Sequence, residues 1–218
     1  TPAQFLGRTR TTVHTGSEAV AVDPAAKTVS IRTNAAPTEG AGAQKPQAGT
    51  EGSNALEAGA GTDSAGAQAI ETVSYDRLII AVGAESAIPP VEGTKLPGVF
   101  TVRTPQDAIG CRKYAEEQNC KRAVVVGGGF IGLEVAENLM AKGLSVTVMD
   151  MASQLMPNIF DLDMADYIRR RLQAGGMRIL TGTALQKIAG TDRVTGVQTG
   201  AGTLPAEMVI LAAGIRPA

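Results

Sequence analysis

Ala123-Val124-Val125-Val126-Gly127-Gly128-Gly129-Phe130-Ile131-Gly132-Leu133-Glu134 is an apolar run that breaks on three glycines and resumes as a helix-forming stretch. Residues 127–132 fit G-x-G-x-x-G, a pattern that carries weight only when a strand precedes it and a helix follows. Both flanks are present. Ala123 to Val126 reads as a buried strand, Phe130 to Lys142 as a helix, and Leu144 to Asp150, after Gly143, as the next strand. Together they make a βαβ unit of about 30 residues. Asp150 closes the second strand 18 residues beyond Gly132, near the spacing of about 20 at which an acid meets the ribose of a dinucleotide. In such a unit Gly127 allows the tight turn, Gly129 lets the backbone approach a pyrophosphate, and Gly132 lets the helix lie close on the strand. The bare amides opening the helix then face the phosphates, and the helix dipole adds about 0.3–1 kcal/mol per charge. A carboxylate at 150 accepts from both ribose hydroxyls and repels a 2′-phosphate. No Arg or Lys follows it in Met151-Ala152-Ser153-Gln154, so NADH is expected in preference to NADPH.

Working outward, Leu162 to Ala174 reads as a second helix with Ala165, Ile168 and Leu172 on one face, ended by Gly175-Gly176. Met177 to Leu180 reads as a short strand, Ala184 to Ile188 and Val194 to Thr199 as two meander strands, and Met208 to Ala212 as a buried strand ending at Ala213-Gly214. Upstream, Thr104-Pro105-Gln106-Asp107 supplies an N-cap, a proline at the first helical position and an acid in the first turn, predicting a helix to about Gln118. Tyr75 to Ala84 is a continuous apolar run entering a small-residue turn, and is expected to be a buried strand. Strands are also expected over Glu18 to Val22 and Lys27 to Arg32, joined by an Asp23-Pro24 turn, and from Thr72 to Ala81. Between them, half of residues 34 to 69 are Ala or Gly and the only large aliphatic side chain is Leu56. Such a stretch cannot bury enough to offset its ordering entropy, so a floppy, overgrown hairpin loop is expected there.

The 218 residues are 44 % hydrophobic, enough for a real core in one large or two small domains. Twenty basic residues against 21 acidic ones give a net charge of −1, which offers no electrostatic footing for nucleic acid or an anionic membrane. No apolar run approaches the roughly 20 residues of a membrane helix, and no leader pattern opens the chain, so a soluble, cytoplasmic protein is expected. The first residue is Thr1 rather than Met, which suggests a piece of a longer protein. Cys111 and Cys120 provide neither a disulfide framework nor a metal spacing, so no metal is expected and both thiols read as buried or incidental. His14, the only histidine, sits in a short polar run, and Arg169-Arg170-Arg171 reads as a solvated helix face.

Gly127 to Glu134, Asp150, Tyr75 to Ala84 and Leu211-Ala212-Ala213-Gly214-Ile215-Arg216-Pro217 together resemble the pyridine-nucleotide disulfide oxidoreductases, in particular the coenzyme A-disulfide reductase and NADH oxidase/peroxidase branch. Thr1-Pro2 to Phe5 and Met151 to Pro157 leading into Asp161 add branch-specific likeness. The resemblance implies two α/β domains. Residues 1–103 would be part of an FAD-binding domain, with 34–69 a disordered insertion, and 104–218 a Rossmann-like three-layer NAD(P)H-binding domain with a β-meander.

It also implies roles. Gly127, Gly129, Ile131 and Gly132 match the nucleotide-binding turn, Asp150 the ribose acid, Ile159 a position along the adenosine, and Gly214 a backbone contact near the nicotinamide. Phe130 stands where relatives often carry a tyrosine covering the flavin, Glu134 matches an acid facing flavin and nicotinamide, and Ala81 and Gly83 match a turn passing close to FAD. Helical spacing alone equally allows Glu134 to be a solvent-facing glutamate. Hydride would pass from NADH to FAD and on to a disulfide such as coenzyme A disulfide, or to dioxygen or peroxide. No catalytic residue is expected within this chain, because the redox cysteine of the family would precede residue 1. Arg8 and Arg10 lie near a position contacting coenzyme A in relatives, but Thr9 stands between them. A homodimeric enzyme acting on a small molecule is implied. A ferredoxin or rubredoxin reductase type without a redox cysteine, and an NADH-binding module without turnover, remain open alternatives.

Overall fold

The computed structural model describes residues 12–33 and 70–218. The stretches 1–11 and 34–69 lie outside the described residues, and with them Thr1 to Phe5, Arg8 to Arg10 and the Ala/Gly-rich insertion. The chain divides into two compact units, Thr1–Ile80 and Ala81–Ala218.

In the first unit, β1 (Ser17–Asp23), β2 (Thr28–Thr33) and β3 (Ile70–Ser74) form an antiparallel sheet in that order. The Asp23 carboxylate accepts the Ala25 and Ala26 amides, both at 2.9 Å, and so builds the expected turn between β1 and β2. β2 and β3 pair from Thr28↔Ser74 to Arg32↔Ile70, which sets the two ends of the 34–69 stretch on neighbouring strands. The apolar run that follows β3 departs from expectation. Only Thr72 to Ser74 of Thr72–Ala81 is strand, and no strand is formed over 75–83. Ile79, Ile80 and Val82 are 89 %, 67 % and 66 % exposed. A run apolar on both faces is buried only when packed layers cover both faces of the sheet it joins. Among the described residues no such layers cover it, so each such side chain forgoes about 1.5–3 kcal/mol of burial.

The second unit is built on a five-stranded parallel sheet of order β5-β12-β6-β7-β8: β5 (Val99–Phe100), β6 (Arg122–Val126), β7 (Ser145–Met149), β8 (Arg178–Leu180) and β12 (Met208–Leu211). The period-2 pleat sends alternate side chains into two cores. Ala123, Val125, Val146, Val148, Met208 and Ile210 face one, with Leu133, Ala136 and Leu139 of a helix. Val124, Val126, Met149, Val209 and Leu211 face the other, with Ile188, Val194 and Val197 of a meander. Strands sandwiched in this way are apolar on both faces, which is why Ala123–Val126 of β6 and Met208–Leu211 of β12 read as unbroken apolar runs.

The helix layer holds α1 (Pro105–Glu117), α2 (Phe130–Ala141) and α3 (Leu162–Ala174). Thr104 and Asp107 form a full capping box at the start of α1, and Asp161 caps α3 through the Met164 amide at 3.0 Å. Ala165 of α3 is buried, Ile168 and Leu172 pack on the helix-side core, and Arg169 and Arg170 pair with Asp166 on the outer face. The opposite layer is the antiparallel meander of β9 (Leu185–Gly190), β10 (Val194–Thr199) and β11 (Gly202–Pro205). β11 was not expected, because only Leu204 among its four residues carries a large apolar side chain. A further ribbon pairs β4 (Ala84–Ser86) with β13 (Ile215–Pro217), two runs too short to signal a strand by themselves. Val99–Phe100, just before the boundary expected at residue 103, is an edge strand of the parallel sheet. No helix among the described residues is long and apolar enough to cross a membrane.

Glu207 fastens the starts of two neighbouring strands, β12 and β6, that are far apart in the chain. Its carboxylate accepts the Arg122 amide at 2.8 Å and the Lys121 amide at 3.2 Å, and pairs with the Arg122 guanidinium. Burial alone would raise the Glu207 carboxyl, but the hydrogen bonds from Arg122 and the two amides outweigh it and hold it below its ordinary 4.5. A depressed carboxyl stabilises the fold above its unfolded value, and that stability is lost as pH falls through the folded value. With Glu207 34 % and Arg122 50 % exposed, solvent screens the pair and Glu207→Gln is expected to cost about 1 kcal/mol near pH 7. Urea unfolding should show this difference shrinking as pH falls below the ordinary carboxyl value of 4.5 and the Glu207 carboxylate is protonated in the folded protein. A pH-independent difference would contradict the assignment.

Both cysteines are buried at 5 % exposure. Burial, reinforced by the nearby Asp107 charge, pushes the Cys111 thiol up to about 11, and burial also raises Cys120. A thiol-exchange reagent at about pH 8 should therefore leave both untouched on the scale of minutes in the folded protein and modify both in denaturant.

Candidate functional site

Each glycine of residues 127–132 meets a different demand. Gly127 has φ +117°, and a Cβ there would overlap the carbonyl of Ala212, so the first position needs both the conformation and the absence of a side chain. A Cβ on Gly132 would overlap the Gly127 carbonyl and stand 3.3 Å from Val125 Cγ1. That is the close helix-on-strand approach expected from the sequence. A Cβ on Gly129, by contrast, would meet nothing within 4 Å. Gly129 is the extended N-cap of α2, no side chain caps that helix, and no acid sits in its first turn. The amides opening α2 have no acceptor within the helix, and the space a side chain at 129 would fill beside them is empty, with the positive end of the helix dipole behind it. This donor set fits an anion such as a diphosphate.

Asp150 stands at the end of β7 beside this turn. Its Oδ2 accepts the Gly128 amide at 2.6 Å and its Oδ1 the Ala152 amide at 2.8 Å. The Gly127 amide donates to the Met149 carbonyl at 2.8 Å, so the ends of β6 and β7 are tied twice. Carboxylate oxygens take several hydrogen bonds, so two backbone donors leave Asp150 able to accept from ribose hydroxyls as well. The following loop, 151–161, is pinned by the Gly182 amide on the Ala152 carbonyl at 2.6 Å and by Gln154 Nε2 on the Phe160 carbonyl at 2.9 Å. It lays Phe160 edge-on to Phe130 with ring centroids 6.4 Å apart. Phe130, Ile131 and Ile159 are each more than half exposed.

The remaining expected positions fall in two groups. The turn after β12 comes to the glycine motif: the Ala212 amide donates to the Val126 carbonyl at 2.8 Å, and Gly214, with φ +104°, follows directly. Glu134 is exposed on the first half of α2, where it lines a groove of about 980 Å³ against α1 together with Ile131, Ile109 and Arg112. Ala81 and Gly83 are not hydrogen-bonded to the glycine turn. The Gly83 carbonyl accepts the Ala218 amide at 3.3 Å, beside the β4–β13 ribbon. His14 is exposed. Among the described residues no group of three or more His, Cys, Asp or Glu side chains could hold a metal ion. Gly128 and Leu155 were not picked out from sequence, because their contact joins positions far apart in the chain. The third consecutive glycine was the one signal available.

The comparisons agree with this geometry. The family model described as pyridine nucleotide-disulphide oxidoreductase matches residues 5–218. An NADH oxidase of Methanocaldococcus jannaschii is 43 % identical over 145 residues, covering 66 % of this chain and 32 % of the relative. A CoA-dependent NAD(P)H sulfur oxidoreductase of Pyrococcus abyssi is 38 % identical over 147 residues, covering 67 % and 33 %. The solved structure of an NAD-dependent persulfide reductase from A. fulgidus superposes with TM-score 0.75 at 30 % identity, covering all of this chain and 34 % of its own. The chain thus spans about a third of the length of the relatives it matches. A strand–glycine turn–helix with an acid on the next strand, inside a helix/parallel sheet/meander sandwich, and a family match over nearly every residue lead to one conclusion: the chain belongs to the pyridine nucleotide-disulphide oxidoreductase family.

Proposed function

We propose that this chain supplies the NADH site of an FAD-dependent oxidoreductase. The observation that carries the reading is the uncapped start of α2 at Gly129, opening onto free space, with Asp150 hydrogen-bonded to the turn that precedes it. The amides of Gly129, Phe130 and Ile131 would take the diphosphate, Asp150 the adenosine ribose, Ile159 the adenosine edge and the Gly214 backbone the nicotinamide end. Bound NADH supplies hydride and FAD accepts it; the chain's own residues set where the two meet. Phe130 and Glu134 lie on the helix end that faces this meeting point in the proposed arrangement, and Ala81 and Gly83 would follow the flavin.

Residues 1–103 would contribute to the FAD-binding domain, lending Val99–Phe100 to the neighbouring sheet, and 104–218 would form the NADH domain. The exposed apolar run 78–82 then has a reason: it would be buried within the complete flavin domain. Relatives named NADH oxidase and CoA-dependent sulfur oxidoreductase favour dioxygen, peroxide or a disulfide-level sulfur substrate as the final acceptor. With both of its cysteines buried, this chain contributes no redox thiol, and a disulfide-reducing enzyme would carry that thiol elsewhere in the protein. A cytoplasmic homodimer with no nucleic-acid partner completes the reading.

The direct test adds anaerobic NADH to the intact flavoprotein: flavin absorbance should bleach, and flavin that NADH cannot reduce would refute the proposal. Two variants probe the site itself. Gly129→Asp places a carboxylate in the open space of an extended N-cap, where aspartate is a good cap. It should leave thermal stability unchanged or raised by a few tenths of a kcal/mol while abolishing NADH binding, as read by fluorescence titration. Asp150→Ala removes the ribose acceptor but also frees the Gly128 and Ala152 amides, a loss shared by both nucleotides. The ratio of kcat/KM for NADH over NADPH isolates the ribose contribution, and should fall about tenfold or more, as loss of a charged hydrogen bond implies. An unchanged ratio would remove Asp150 from the ribose.

A further inference from the structure

Three consecutive glycines make the least constrained backbone a chain can have, yet donors that bind a diphosphate must be held in place beforehand. The stiffness of this turn therefore has to come from outside it. Gly127 and Gly132 are explained by the carbonyls they abut, and Gly129 by the space in front of it. Gly128 is different. Its φ is not among the positive ones, so its backbone would accept an L-residue. What excludes a side chain is the loop beyond β7, since a Cβ at 128 would lie 2.6 Å from Leu155 Cδ2 and 3.3 Å from Asp150 Oδ2.

Leu155 is 1 % exposed and part of the helix-side core, so its methyl group has little room to retreat. Its place in the loop is secured on both sides. Ala152 is bonded to Asp150 and to Gly182, Gln154 is bonded to Phe160, and the buried Met156 holds a left-handed φ of 47°. The peptide at Gly128 is thus gripped by the Asp150 carboxylate on its amide and by the Leu155 methyl against its Cα.

We propose that Leu155 is a positioning residue for dinucleotide binding, bracing Gly128 so that the amides of Gly129 and the start of α2 point at the diphosphate. This rests on the reading of that turn as the NADH site. The test uses the intact flavoenzyme and steady-state kinetics with NADH. Leu155→Ala should raise KM for NADH about tenfold, with kcat at saturating NADH within about twofold and the flavin spectrum unchanged. Gly128→Ala should also raise KM, because its new methyl displaces the brace. Combining it with Leu155→Val, which shortens the side chain by one carbon, should bring KM back toward wild type. A merely structural role would lower the melting temperature further in the double variant without restoring KM.

If Leu155→Ala does not accumulate as folded flavoprotein, the Gly128→Ala and Gly128→Ala/Leu155→Val pair decides. Restoration upholds the proposal, and multiplication of the two single effects overturns it. Wild-type KM in Leu155→Ala overturns it as well. Failure of the wild-type enzyme to bind NADH would instead refute the site assignment itself.

Discussion

The hydrogen bond from the Gly128 amide to Asp150 Oδ2, at 2.6 Å, is the constraint on which the site depends. It joins the ends of two neighbouring parallel strands at the point where the chain turns into α2. In the proposed arrangement the same carboxylate would also face the sugar, which would couple the shape of the diphosphate site to recognition of the nucleotide. The bond is short and charge-assisted, and Asp150 is only partly exposed, so solvent competes with it weakly. The Gly127 amide on the Met149 carbonyl and the Ala212 amide on the Val126 carbonyl repeat the fastening on either side. The mouth of the sheet is thereby set before any ligand arrives, and binding need not order it.

The layers explain why the mouth can be open while the rest is closed. Val124, Val126, Val209 and Leu211 are covered by the meander, and Val125, Val148 and Ile210 by the helices, so neither face of the sheet is available to a ligand. What remains is the edge formed by the carboxyl ends of β6, β7 and β12, where loops rather than side-chain layers close the structure. Phe130, Ile131, Met151 and Ile159 stand exposed around that edge. Apolar side chains so placed offer flat surface to a planar ring system without filling the space in front of the amides.

Much of this was legible in the residues themselves. The buried strands β6 and β12 announce themselves as unbroken apolar runs, β7 as a Val146/Val148/Met149 strand interrupted by Thr147, α1 through Thr104-Pro105 and Asp107, and α3 through its Ala165/Ile168/Leu172 face and terminal glycines. The candidate site was legible as far as it is local, in the spacing of Gly127, Gly129, Gly132 and Asp150. The illegible parts depend on partners distant in the chain. β4 and β13 exist only because residues 131 apart, Glu85 and Arg216 among them, come together. β11 is a strand because β10 offers it an edge, not because Gly202–Pro205 has a strand composition. The run from Tyr75 to Ala84 reads as a buried strand by composition, yet 75–83 forms no strand and Ile79, Ile80 and Val82 are exposed, because composition cannot say whether a sheet receives the segment. The brace at Leu155 is invisible for the same reason: nothing in Gln154-Leu155-Met156 refers to Gly128.

A crystal structure of the intact flavoenzyme with NADH would test the central claim most directly. The diphosphate should lie against the start of α2, its oxygens within about 2.7–3.2 Å of the amides of Gly129, Phe130 or Ile131, with a ribose hydroxyl on the Asp150 carboxylate. NADH bound with its diphosphate elsewhere, or a turn that must open and release Gly128 from Asp150 before the nucleotide fits, would contradict the account.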